Sequence, residues 1–193
     1  MGAGLGARLP PRWVVAVSLA VAASILGDSL LYAVLPVVWD DLGLAVGLVG
    51  VLLSVNRWVR LVSNSIAGWV VTRAGVRGPF VISLFVAALT TAAYASGLGF
   101  VVLLIARAVW GVCWSFLRLG GYLAALEAAR NANRGYYLGF FNGVVRLGSF
   151  VAVLTGGLLT DLLGFETTVL IFTAISLLGA VAVLRERPPA PQR

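Results

Sequence analysis

Histidine and lysine are absent from this chain, and cysteine occurs once. Without histidine the usual nucleophile–base–orienter triad is missing. With Cys113 as the single thiol, neither a zinc nor a transition-metal site is expected. Cys113 cannot close an intramolecular disulfide, and inside its apolar run it reads as a small buried hydrophobe. No Walker-type loop is present, so nothing calls for ATP hydrolysis. Neither an enzyme nor a cofactor is expected. Charge is scarce too: 11% of residues are charged, against about 25% in ordinary soluble domains. The formal net charge is +7, all of its cations arginine, but no basic stripe lies on a polar segment. That excludes a nucleic-acid partner.

What the chain has is apolar length. Of its 193 residues, 61% are hydrophobic, and the mean hydropathy is +1.02. A soluble fold of this composition would expose large apolar patches, whereas a lipid bilayer is a solvent for that surface. A helix needs about 20 apolar residues to cross the hydrocarbon core. Six segments meet the need, near 13–38, 44–71, 79–98, 100–126, 136–160 and 167–184. Backbone at membrane depth must satisfy its own hydrogen bonds, so the runs are expected to be helices. They lack the alternation of barrel strands. The fold class is therefore all-α, a multi-pass membrane protein of six transmembrane helices. Arg8 and Arg12 precede a run too long for a signal-peptide core, so no cleavable leader is expected.

Charge sets the orientation. With the N-terminus inside, the inner segments carry Arg8, Arg12, Arg73, Arg77, Arg130, Arg134, Arg185, Arg187 and Arg193. The outer loops carry Asp40, Asp41, Asp161 and Glu166 and no basic residue. This is the positive-inside pattern. It predicts a plasma-membrane protein with both termini cytoplasmic. The tails would be residues 1–12 and 185–193, the latter held out of a helix by Pro188, Pro189 and Pro191. Trp13, Trp39, Tyr136 and Tyr137, near span ends, read as an aromatic belt.

The chain also repeats itself. Asn56, Val59, Arg60, Leu61 and Ser63 in span two recur as Asn142, Val145, Arg146, Leu147 and Ser149 in span five, an offset of 86. Gly68, Thr72 and Gly75 recur as Gly157, Asp161 and Gly164, an offset of 89. Span two runs inward and span five outward in the orientation above. Residues 13–98 and 100–184 are thus expected to be two inverted three-helix repeats, a known arrangement within the six-helix halves of certain transporters.

The segment Gly68-Trp69-Val70-Val71-Thr72-Arg73-Ala74-Gly75-Val76-Arg77 resembles the major facilitator superfamily signature G-x-L-A-D-R-x-G-R-[K/R]. Gly68, Arg73, Gly75 and Arg77 match, while Thr72 stands where the family has an acid. In the family the acid and the arginines latch the cytoplasmic helix ends, and the departure puts that latch in doubt here. Arg107-Ala108-Val109-Trp110-Gly111 is similar to the family's R-x-x-[polar]-G, with Trp110 departing from the polar choice. Asp28, eight residues before Pro36, is similar to its D-x7-P. Gly156-Gly157 and Thr160 to Phe165 resemble it too. The resemblance covers nearly the whole chain but only the N-terminal half of a twelve-helix member. It implies half of a major facilitator fold, secondary transport of a small-molecule solute, and a second six-helix half, either another copy in a homodimer or a separate C-terminal-half chain.

Asp28, Arg57, Arg60, Arg107, Arg118 and Arg146 fall well inside the spans. Each charge at membrane centre costs at least about 2.5–3.5 kcal/mol, so they are expected to face water or one another. Asn56, Arg60 and Asn64 form one helical stripe, and Asn142, Arg146 and Ser149 another. Arg107 and Arg118, eleven residues apart, project within about 20° of each other. One reading is a cationic central cavity for an anionic or carboxylate-bearing solute, arginine being suited to planar bidentate recognition. Asp28 would then serve protonation or cation coupling. Asp28, Asn56, Arg60, Asn64, Arg107, Arg118, Asn142 and Arg146 are the candidate substrate-binding or coupling residues. The other reading is structural, with Asp28 paired to one arginine and the rest on carbonyls or partner acids. Arg57 lies off the Arg60 stripe and reads as snorkelling. The alternative to transport is a non-transporting interaction subunit or an inactive truncated half.

Overall fold

The structure is a computed structural model that describes residues 10–129 and 133–186. Within them the chain folds into six helices: α1 (Arg12–Val38), α2 (Val46–Ala74), α3 (Arg77–Ala93), α4 (Phe100–Ala128), α5 (Arg134–Leu163) and α6 (Phe165–Arg185). No strand occurs among the described residues. Arg8, Arg130, Arg187, Arg193 and the three tail prolines lie outside them.

Three boundaries differ from the sequence reading. Helix α3 covers Arg77–Ala93 rather than 79–98, and at 17 residues it is the one helix shorter than the five whose length and apolarity suit a membrane span. It stops because Ser96 Oγ donates 2.8 Å back to the Ala93 carbonyl and Gly97 turns to φ 64. Seventeen residues is still the lower end of spanning length. Helix α2 continues through Thr72 and Arg73, so most of the segment read as a loop is helical. The expected loop from Asp161 to Glu166 contracts to one residue, Gly164.

The repeat appears in the caps and in the packing. Gly75 ends α2 at φ 78 with its N–H 3.0 Å from the Val71 carbonyl. Gly164 ends α5 at φ 84 with its N–H 2.9 Å from the Thr160 carbonyl. Both use a backbone region open to glycine. Exchange of α1, α2 and α3 with α4, α5 and α6 carries the broadest helix contacts onto one another: α1 on α5 becomes α4 on α2, and α1 on α6 becomes α4 on α3. The first pair is closely apposed in both copies. A Cβ on Gly148 of α5 would lie 2.7 Å from the Ala22 carbonyl oxygen of α1, and one on Gly111 of α4 2.7 Å from that of Asn56 in α2.

Those approaches bring hydroxyls together. Ser29 and Ser149 share a hydrogen bond of 2.8 Å between α1 and α5. Ser63 and Ser115 share one of 2.8 Å between α2 and α4. Ser29 maps to Ser115, and Ser63 to Ser149, by the same offset of 86. They are one contact made twice. In helix pairs surrounded by lipid, small residues and interhelical hydroxyls are the main sources of association.

Helix α1 is the buried axis of the bundle. Trp13 is 7% exposed and packs in the interior, so it does not join an aromatic belt. Cys113 is buried in the same cluster. Helices α2 and α5 leave broad apolar faces open, with Trp58, Leu61 and Val62 on one and Leu147, Phe150 and Leu154 on the other.

Candidate functional site

Two polar groupings lie between α1, α2, α4 and α5. The first is a closed cluster. Asp28 Oδ1 accepts from Arg107 Nη1, the ion pair between α1 and α4, and from Asn56 Nδ2 at 2.8 Å. Arg107 Nε donates to the Leu52 carbonyl at 3.0 Å. The Tyr32 hydroxyl lies 3.1 Å from Asn56 Oδ1 and 2.9 Å from the Leu53 carbonyl, and its one proton serves one of them at a time. Asp28, Asn56 and Arg107 are all buried. Buried charge persists when it is paired; here Nη1 and Nε of Arg107 are engaged, while its buried Nη2 has no hydrogen-bond partner among the described residues. Gly111 makes the cluster reachable: its contact with Asn56 sets α4 against α2, one turn from where Arg107 meets Leu52.

The second grouping is an open cleft of about 580 Å³. Arg57 and Arg60 enter it from α2, Arg118 from α4, and Asn142 and Arg146 from α5. Asp28 and Ser29 of α1 form part of its wall, so the closed cluster and the cleft share a boundary. Aromatic rings stand among the cations. The Arg57 guanidinium lies 5.4 Å from the Tyr32 ring centroid, Arg60 5.9 Å from Trp114 and Arg118 5.5 Å from Tyr122. Trp114 stacks on Trp110 at 5.4 Å. Arg60 Nε donates to the Asn56 carbonyl at 2.9 Å, which ties it to its own helix. Tyr122 donates to Asn142 Oδ1 at 3.1 Å, bracing α4 against α5.

The structure therefore divides the eight candidate residues. Asp28, Arg60, Arg118, Asn142 and Arg146 line the cleft. Asn56 and Arg107 stand behind it in the closed cluster. Asn64 is exposed and lines neither. The expected shared face of Arg107 and Arg118 is split, because three helical turns place them about 16 Å apart along α4, one against Asp28 and the other in the cleft. Arg57 lines the cleft, contrary to the snorkelling reading. Tyr32, Trp114 and the pairings made by Ser29 and Ser115 were missed. The signal for the two serines was present, since each is the other's mate at the repeat offset.

The signature segment acts elsewhere. Thr72 Oγ1 turns back to the Trp69 carbonyl at 2.8 Å, and the Arg73 guanidinium covers the Trp69 ring at 4.1 Å. Arg77 donates to the Glu186 carbonyl at 3.2 Å, joining the start of α3 to the end of α6. Gly75 makes the turn, but Gly68 has nothing within 4 Å of an added Cβ and serves no close contact in this chain; its mate Gly157 is equally open. Among the described residues no cluster of His, Cys, Asp and Glu has metal-holding geometry.

Six apolar helices in two inverted sets of three, four of them lining a polar cleft, define a multi-pass membrane protein of the transporter-half type. Residues 17–193 match the Major Facilitator Superfamily, and the chain belongs to that family. It is 27% identical over 146 residues to the vesicular acetylcholine transporter of Tetronarce californica, covering 75% of this chain and 28% of that protein. It is 26% identical over 186 residues to probable vesicular acetylcholine transporter-B of Danio rerio, covering 90% of this chain and 38% of that protein. The Drosophila melanogaster vesicular acetylcholine transporter is 27% identical over 144 residues, 74% of this chain and 25% of its own length. The chain thus spans between a quarter and two fifths of the length of these relatives.

Proposed function

We propose that this chain forms one wall of the solute pathway of a secondary transporter and is not an enzyme. The observation that carries the reading is the cleft itself, where Arg57, Arg60, Arg118 and Arg146 surround a single carboxylate, Asp28, that Arg107 and Asn56 already engage. Such a surface suits an anionic or carboxylate-bearing solute, which arginine can grip in bidentate fashion. The relatives are named for acetylcholine, a cation. Four guanidinium groups would repel one, so the solute here is taken to differ. Asp28, at the boundary of cluster and cleft, is the natural place for proton coupling: protonation would release Arg107 and change the charge of the wall.

A second six-helix half completes the pathway, either another copy of the chain or a separate one. The open apolar faces of α2 and α5, on either side of the arginines, are where it would dock. Both ends of the chain face the cytoplasm in this arrangement, as the placement of arginine at one set of helix ends requires.

Flux into proteoliposomes, with and without a proton gradient, tests the reading. Organic anions are expected to enter and acetylcholine is not. Arg60→Ala and Arg118→Ala should each reduce uptake to background while membrane insertion stays normal. Full uptake by both variants would eliminate the cleft as the solute site. A protein that inserts and folds but moves no solute, alone or with a partner half, would favour the interaction-subunit alternative.

A further inference from the structure

On the side of α1 away from the cleft lies a second concavity, a groove of about 680 Å³ between α1 and α6. At 100° per residue its α1 residues are turned roughly 150° from those that face the cleft. Its floor is made of small residues, Ala16, Ala20 and Ala23 of α1 with Gly179 of α6. Its rim is apolar, with Leu19 and Leu178 exposed. At its mouth stand one cation, Arg12, and one anion, Glu186.

The repeat supplies an internal reference. The mate of this groove lies between α4 and α3, and its eight lining residues correspond, by the same two offsets of 86 and 89, to eight of the twelve that line the first. There Val102 and Val109 replace Ala16 and Ala23, Ala106 keeps the place of Ala20, and Thr90 replaces the glycine. The mate holds about 310 Å³ and has no charged residue in its lining. Matched stretches of helix thus line a wide groove with a charged mouth in one repeat and a narrow, uncharged one in the other. Along the helices the difference lies in side chains; at the mouth it lies also in the backbone, because α3 ends at Ala93 while α6 runs to Arg185.

We propose that the α1–α6 groove holds one ethanolamine phospholipid. An acyl chain lies along the alanines and glycine, the phosphate meets Arg12 and the headgroup amine meets Glu186. Charge complementarity selects a zwitterionic headgroup, which has a partner for each of the two mouth residues, whereas a purely anionic one would face Glu186; a primary amine, unlike a quaternary one, also donates hydrogen bonds to that carboxylate. Arginine is the better of the cationic side chains for planar phosphate recognition. The proposal is independent of the solute assignment, because the groove and the cleft occupy opposite faces of α1.

Native mass spectrometry of the purified full chain, titrated in detergent with dioleoylphosphatidylethanolamine or dioleoylphosphatidylglycerol, provides the test. One ethanolamine lipid per chain is expected to be retained, about tenfold more tightly than the glycerol lipid, a difference of about 1.4 kcal/mol. Ala16→Val with Ala23→Val, which gives the groove the two valines of its narrow mate, should reduce retention about tenfold, as should Arg12→Gln. Glu186→Gln should remove the preference between the two lipids. Arg12 is exposed and Glu186 lies beyond the end of α6, so these single variants decide the matter even if the valine pair fails to fold. Equal binding of the two lipids by the unaltered chain, or retention that survives Arg12→Gln, would overturn the proposal. So would a doubled mass lost on valine substitution, which would make a second copy of the chain the occupant.

Discussion

The two repeats agree in their scaffold and differ in their chemistry. Ser29–Ser149 and Ser63–Ser115 are equivalent hydrogen bonds, and Gly75 and Gly164 are equivalent caps. Yet one residue before Ser29 stands Asp28, while the residue before Ser115 is Trp114. Tyr32 has Arg118 as its mate, and Arg107 has Val21. The first repeat supplies the acid of the closed cluster and Arg57 and Arg60 of the cleft; the second supplies Arg107 to the cluster and Arg118, Asn142 and Arg146 to the cleft. Backbone proximity demands small residues at fixed places and so constrains both copies alike. A cleft wall makes no such demand, so beside the matched pair Arg60 and Arg146 its side chains can diverge, as Tyr32 and Arg118 do, without disturbing the helices.

The comparison can be broken most severely at Asp28. Asp28→Ala leaves Arg107 charged and buried against Leu52, which should cost about 3–5 kcal/mol and show as a large fall in melting temperature in detergent. Its mate Trp114→Ala removes the ring beside Arg60 but no counter-ion, and should not expose this penalty. Replacing Asp28 and Arg107 together by leucine should recover most of the loss, and a double-mutant cycle measures the coupling. The glycine contacts sharpen the symmetry at intermediate size. Gly111→Ala and Gly148→Ala each place a methyl against backbone and should cost about 1–3 kcal/mol by thermal unfolding. Gly143→Ala and Gly157→Ala meet open space and should be neutral or gain up to about 1 kcal/mol from helix propensity. Smallest are the serines: Ser63→Ala and Ser149→Ala should each lose about 0.6 kcal/mol, equally in the two repeats. Unequal losses at the glycines or serines would show that the scaffold has diverged along with the cleft.

Much of this was legible in the residues. Six apolar runs, the one-sided placement of arginine, and the two blocks at offsets of 86 and 89 led to the helices and their inverted relation. The same offsets would have paired Ser29 with Ser115 had they been applied to α1 and α4. Helical periodicity failed where it was asked for neighbours. Arg57 and Arg60 are only about 60° apart round the helix and meet the same cleft, which an i, i+3 reading allows. Arg107 and Arg118 share an angle but not a height, so one is engaged in an ion pair and the other is open. Asn64 continues a stripe that the cleft does not follow. The run after Ala93 is apolar enough for helix, and the turn at Ser96 and Gly97 ends it nonetheless.

By itself the sequence determined the solvent, the number of helices and their twofold repetition, because hydrophobic length, charge placement and recurrence are properties of the chain read in one dimension. Only the tertiary structure decided which buried charges neutralise one another and which remain for a solute. That choice depends on how closely α4 can approach α1 and α2, and the approach is set by contacts such as Gly111 on Asn56, between residues far apart in the chain.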